Sequence, residues 1–278
     1  MRLDPRISQT LAKTVLWAFT GITLMILLFI IVNIAVKGLP QLTPQFLSHN
    51  PEDMGRAGGI FSCIVATVYI TVLAIVLASP LGVGTAIYLT EYTLESRITR
   101  VIRFGAECLA GVPSIILGLF GFVLFVMKLG FGWSVLSGGL TLAIMVLPTI
   151  IRTSEEAIKA VPQEYRQVCL SLGLSQWQTV TRIVLPSALP GITTGIMLSV
   201  GRSIGETAVL LFTAGAALRT PLSLFDSGRT MAVHFYILAR EGLSMPNAYG
   251  TAAILVISIL LINLTAYTLM QRLMKRYS

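Results

Sequence analysis

Stretches without a single charged residue recur along the chain and predict its elements. Residues 14–36, between Lys13 and Lys37, form 23 uncharged positions, enough for one helix to cross a hydrocarbon core of roughly 30 Å. Arg56 and Glu91 bracket 34 uncharged positions, more than one crossing needs. That spacing predicts a span over 59–81 and a bent continuation past Pro80, Gly82 and Gly84. A third span is expected over 108–127, where Gly111, Pro113, Gly118 and Gly121 are tolerable only if neighbouring protein satisfies the freed backbone groups. Residues 129–151, 191–217 and 251–270 predict three more. The expected fold is an all-α integral membrane protein of about six transmembrane helices, with 1–278 forming one membrane domain.

Composition sharpens this pattern. The chain is 55% hydrophobic and only 12% charged, with a mean hydropathy of +0.82, more apolar than one soluble core of this length can bury. Arg2, Arg6 and Lys13 ahead of the first run resemble a signal peptide, but the run is too long and lacks an A-x-A-like cleavage site, so a retained span is expected. The net charge of +8 does not point to nucleic acid, because the basic residues cluster beside apolar spans without interleaved aromatics. With the N-terminus inside, thirteen basic residues fall on the cytoplasmic side and six outside, which predicts both termini in the cytoplasm.

Little in the chain suggests catalysis. Cys63, Cys108 and Cys169 lack metal-ligand spacing and read as free thiols. His49 and His234 stand apart in outer segments, and Glu91 and Glu95 read as solvated residues at the cytoplasmic face. No G-x-x-x-x-G-K-[ST] loop is present to cradle ATP phosphates, so any ATP must be handled by another subunit.

The longest cytoplasmic segment, 152–186, carries the clearest local signals. Pro162 opens a predicted helix over 163–172, and Gly173 suits the left-handed residue that closes one. Ser175 and Gln178 then fit a capping box for a second helix that ends at Pro186. The run from Gln167, Val168 and Cys169 to Gly173, followed nine residues later by Ile183, Leu185 and Pro186, resembles the E-A-A-x-x-x-G-x9-I-x-L-P signature of permease subunits in bacterial ABC importers. The G-x9-I-x-L-P part is complete, and the triplet reads Gln-Val-Cys. The resemblance implies a type I importer permease fold, with a core over about 59–270 and a coupling helix that docks on an ATPase.

Longer stretches narrow the resemblance. Residues 80–92, 109–121, 188–196 and 205–215 are similar to the A-type (PstA-type) permease of the Pst phosphate importer. That family implies translocation of inorganic phosphate by a heterodimer with a second, PstC-type permease. It further implies a PstB-type ATPase dimer that holds ATP and Mg, a periplasmic PstS-type phosphate-binding protein, and no cofactor on this chain. An ABC permease for sulfate or molybdate remains the nearest alternative. A stand-alone secondary transporter, which would leave the docking segment without a purpose, is the more distant one.

Arg202 and Glu206 lie inside the predicted fifth span, where a charge costs roughly 2.5–3.5 kcal/mol on insertion scales. Spaced i, i+4, they either pair with each other on one helix face or form the translocation pathway, Arg202 offering its planar fork to the anion and Glu206 limiting its grip. Thr193, Thr194, Ser199, Ser203 and Thr207 add hydroxyls, which in membrane helices more often bond their own backbone. Gly191, Gly195, Gly201 and Gly205 give two G-x-x-x-G spacings for close helix approach.

Overall fold

A long first helix, α1 (Pro5–Gly38), stands almost free of the rest and is exposed on every side from Gln9 to Val32. A helix apolar all round and unburied by protein is one whose solvent is lipid. The computed structural model describes residues 5–93 and 96–277, so Glu95 lies outside the described residues. Beyond Gly38 the chain forms an outer cap. It comprises a 3-10 turn (Leu39–Gln41), the short α2 (Pro44–Ser48) and a hairpin of β1 (Pro51–Glu52) and β2 (Ala57–Gly58), with Pro51 opposite Gly58.

The central pair is α3 (Phe61–Ile87), continued by a π turn (Tyr88–Tyr92), and α6 (Val135–Lys159). No helix break follows Leu81, where a bend is expected. The α3 helix runs through Pro80, and its irregularity lies at Tyr88–Tyr92 instead. Gly82 faces Ile150, whose Cγ2 would lie 2.7 Å from any Cβ placed there, so close packing by α6 supports this stretch. The α6 span starts later than residue 129 and runs on past Arg152 to Lys159, because Gly130 and Gly132, both at positive φ, turn the chain before Ser134 caps the helix.

The expected third span begins too early. Residues 108–111 belong to α4 (Arg97–Gly111), an amphipathic helix opened by a capping box between Ser96 and Thr99. The chain then turns by 104° into α5 (Ser114–Gly121) and its π continuation (Phe122–Lys128). Pro113 causes the break, since it forces Val112 into extended geometry at φ −72°, ψ 128°.

After α6 come α7 (Gln163–Ser171), α8 (Gln176–Thr179), a π turn (Val180–Val184) and α9 (Leu185–Ile204). After α9 come α10 (Ala208–Thr213), α11 (Met231–Arg240) and α12 (Met245–Tyr277). Among the described residues five helices are long and apolar enough to cross a membrane, and the bent α4–α5 pair makes a sixth candidate. The main core joins Ile70 and Ala74 of α3, Leu142, Val146 and Ile150 of α6, Val209 and Leu210 of α10, and Val233 of α11.

On the side away from α7, the segment between α10 and α11 closes over the bundle. Ser62 donates to the Leu218 carbonyl at 2.6 Å, and the Met231 N–H donates to Thr67 Oγ1 at 2.9 Å. Buried Arg229 donates through Nε to the Ala216 carbonyl at 3.0 Å and approaches His234 Nδ1 at 3.5 Å. His234 is therefore a packed member of this cap rather than an isolated loop residue.

Candidate functional site

Two features hold the candidate residues: the helix–turn–helix of residues 161–186 and the helix break that follows Arg202. The first is built much as its residues dictate. After α7, the Gly173 N–H donates to the Leu170 carbonyl at 3.0 Å and the Leu174 N–H to the Cys169 carbonyl at 3.1 Å. This is a Schellman closure, and Gly173 adopts the required φ of +80°. The Ser175 N–H donates to Gln178 Oε1 at 2.9 Å and the Gln178 N–H to Ser175 Oγ at 3.3 Å, completing the capping box.

The second helix does not end at Pro186. It continues unbroken from Gln176 to Ile204. Pro186 has no N–H to donate and its ring crowds the carbonyl four residues back. The π turn just before it relieves that crowding, with the Leu185 N–H reaching the Val180 carbonyl. Ile183, Leu185 and Pro186 are consequently half-buried packing residues, beside the cluster of Val184, Ala188, Ile158 and Ala86.

Glu91 is not solvated. Its carboxylate accepts from Arg166 Nε at 3.1 and 3.2 Å and from Nη2 at 2.7 Å, with the two side chains only 7% and 13% exposed. Arg166 also donates to the carbonyls of Val161 at 2.7 Å and Ile158 at 3.0 Å. Gln176 donates to the Glu91 carbonyl, so three elements converge on the π turn at the end of α3.

This anchoring leaves the opposite face of α7 bare. Gln167, Val168 and Gly173 are exposed, as the motif suggests, whereas Cys169 is buried. Tyr165, Leu172 and Trp177, which sequence reasoning missed, are exposed apolar residues like Val168; Leu172 is 75% and Trp177 65% exposed, while Leu170 is exposed on the Arg166 side. Large side chains without a core partner on a loop that the pattern places in water were the available signal.

The intramembrane charges are arranged differently from an i, i+4 pair on one helix. Arg202 lies in the last turn of α9 and Glu206 in the break before α10. They form no ion pair. Glu206 Oε1 instead accepts from the Val209 N–H at 3.4 Å, capping α10, while Arg202 stays exposed on the open face of the bundle. Gly118 of α5 meets α10 closely; a Cβ there would stand 3.0 Å from Val209 Cα and 3.1 Å from the Ala208 carbonyl oxygen. The hydroxyls bond their own helix: Ser199 to the Gly195 carbonyl at 2.9 Å, Ser203 to that of Ser199 at 2.8 Å and Thr194 to that of Pro190 at 2.9 Å.

The two glycine pairs of α9 serve different ends. Gly191 and Gly195 admit Ala157 and Thr153 of α6, while nothing lies within 4 Å of a Cβ at Gly201.

Residues 78–278 match the family model of the binding-protein-dependent transport system inner membrane component. The chain belongs to that family. It is accordingly an inner membrane, multi-pass permease subunit. A probable ABC transporter permease protein YqgI of Bacillus subtilis is 34% identical over 281 residues, covering 95% of each chain. The phosphate transport system permease protein PstA 1 of Mycobacterium tuberculosis is 34% identical over 275 residues, 96% of this chain and 90% of its own. Among solved structures, a bacterial alginate ABC transporter matches with a TM-score of 0.69 at 14% identity over 98% of both chains. The MetNI methionine ABC transporter matches at 0.63 and 17% identity, over 77% of this chain and 94% of its own. These place the fold among type I ABC importer permeases.

Proposed function

We propose that this permease is one of two channel-forming subunits of an ATP-driven importer of inorganic phosphate. The observation that carries the reading is likeness over nearly the whole chain to proteins named as phosphate permeases. The apolar face of Tyr165, Val168, Leu172 and Trp177 suits an ATPase dimer, which holds ATP and Mg itself. The second permease of the PstC type, the periplasmic phosphate-binding protein and the placement of both termini in the cytoplasm complete the proposal.

The geometry suggests how the stroke travels. Residues Gln176–Ile204 form one helical rod of 29 residues, about 43 Å at roughly 1.5 Å per residue. One end stands beside the docking face and the other carries Arg202. Arg202 presents a bidentate donor fork to the anion at the break, and one exposed guanidinium holds it weakly enough to release. Glu206, fixed at the cap of α10, limits that grip.

Uptake of labelled phosphate and sulfate in cells deleted for this chain and for other phosphate routes tests the reading. Wild type should restore phosphate uptake alone, and Arg202→Ala should insert normally and fail to restore it. Sulfate uptake in place of phosphate would overturn the substrate assignment. Full transport by the chain without an ATPase would overturn the importer reading.

A further inference from the structure

We propose that α4 is a lipid-docking helix, seated on the bilayer surface at the coupling-helix side, with Arg97 and Arg100 taking the phosphates of anionic phospholipids. Successive residues are about 100° apart around a helix, and α4 divides into three sectors on that spacing. Thr99, Arg103 and Ala106 turn toward α6: Thr99 is 3% exposed, and Arg103 Nη2 stands 2.8 Å from Glu155 Oε1. Ile98, Val101 and Phe104 form a bare apolar sector, 67%, 68% and 65% exposed. Arg100 borders that sector and Arg97 closes its N-terminal end in the first turn of the helix, and their side chains make no ion pair or hydrogen bond among the described residues.

Three geometric facts bring a bilayer to the apolar sector. The 104° turn at Val112–Pro113 sets α4 nearly perpendicular to α5, so if α5 crosses the membrane, α4 runs along its plane. The α5 helix and its π continuation have only 8 and 7 residues, at most about 22 Å against a hydrocarbon core of roughly 30 Å. A span that short draws its entry, and the end of α4, down into the headgroup layer. The contact of Arg103 with Glu155, near the end of the α6 span, puts α4 at the level where α6 leaves the membrane. Unpaired arginines on the rim of an apolar face at that depth snorkel to lipid phosphates. The inference uses the cytoplasmic placement of α7 proposed above and is independent of the transported anion.

The test uses the full chain in nanodiscs of phosphatidylcholine, with or without one third phosphatidylglycerol. Cys108→Ser removes the exposed thiol, Cys63 and Cys169 being buried, and Val101→Cys carries an environment-sensitive fluorophore. A matching probe at Leu24→Cys on α1 reports insertion. Acyl-brominated lipid should quench both probes, and phosphatidylglycerol should increase quenching at position 101 alone. R97Q/R100Q should lower that anionic increment by about fivefold per arginine removed, on the basis of about 1 kcal/mol per basic residue at such a surface; R97K/R100K should retain most of it. If the probe at 101 stays unquenched while that at 24 is quenched, the proposal fails. It fails too if quenching at 101 ignores phosphatidylglycerol and both arginine variants, or if adding the second permease subunit abolishes it, which would make α4 a subunit interface.

Discussion

Arg166 closes on Glu91 as a bidentate pair, with Nε and Nη2 on one carboxylate, and so fastens α7 to the end of the α3 span. Both side chains are nearly buried, so removing one leaves the other charge without a partner. Loss of one member of a buried pair costs about 3–5 kcal/mol. Arg166→Ala and Glu91→Ala should each lower the thermal midpoint of the purified complex by several degrees. Arg166→Lys keeps the charge but lacks the fork, and should fall between. Melting curves in one detergent give the ranking, and equal loss from Lys and Ala would show that charge alone is insufficient.

The docking surface makes a separate prediction. Leu172→Glu and Trp177→Glu change exposed side chains with no core contacts, so the permease should insert and melt as wild type does. Recovery of the ATPase with the tagged permease should drop at least tenfold. Cys169→Ala should behave differently, since its buried thiol faces inward and not toward a partner. Pull-down yields beside melting curves separate the two cases.

Two glycines on one helix should diverge. Gly195→Val would force its side chain into Thr153, and Gly191→Val into Ala157, whose Cβ would already stand 2.6 Å from an added Cβ. Overpacking of this kind costs about 1–3 kcal/mol. Gly201→Ala meets open space and should leave the midpoint unchanged. Gly173→Ala, at φ +80°, should cost about 1–2 kcal/mol through backbone strain instead. Thermal midpoints of the four variants decide the matter.

His234 makes the outer cap sensitive to acid. Burial first, and the Arg229 guanidinium second, hold its pKa down at about 4 from the usual 6.5. Arg229 donates to Nδ1, which fixes the proton of the neutral ring on Nε2. The unfolded chain therefore takes up this proton more readily than the folded one. The imidazole's contribution is fully present above pH 6.5, declines as pH falls toward 4, and amounts to a loss on the order of 3 kcal/mol below that. His234→Asn should flatten that part of the stability–pH profile, measured by melting between pH 4 and 7.5.

The charge-free runs and the chemistry of Pro162, Gly173, Ser175 and Gln178 were legible in the sequence because each rests on local rules. Lipid demands long apolar helices, and a cap needs only its own neighbours. Local rules fell short where a second element decided the outcome. Pro186 reads as a stop, yet a π turn carries the helix past it. Glu91 reads as solvated until Arg166, 75 positions away, encloses it. Arg202 and Glu206 read either as partners on one turn or as residues of a pathway, and α10, packed against Gly118, decides against the pairing by taking Glu206 as its cap and leaving Arg202 open. The sequence by itself determined a membrane-embedded bundle with a capped helix–turn–helix, because hydropathy and caps act within a few residues. Only tertiary structure decided which charges pair and which face stays bare, because those depend on atoms far apart in the chain meeting at hydrogen-bond distance.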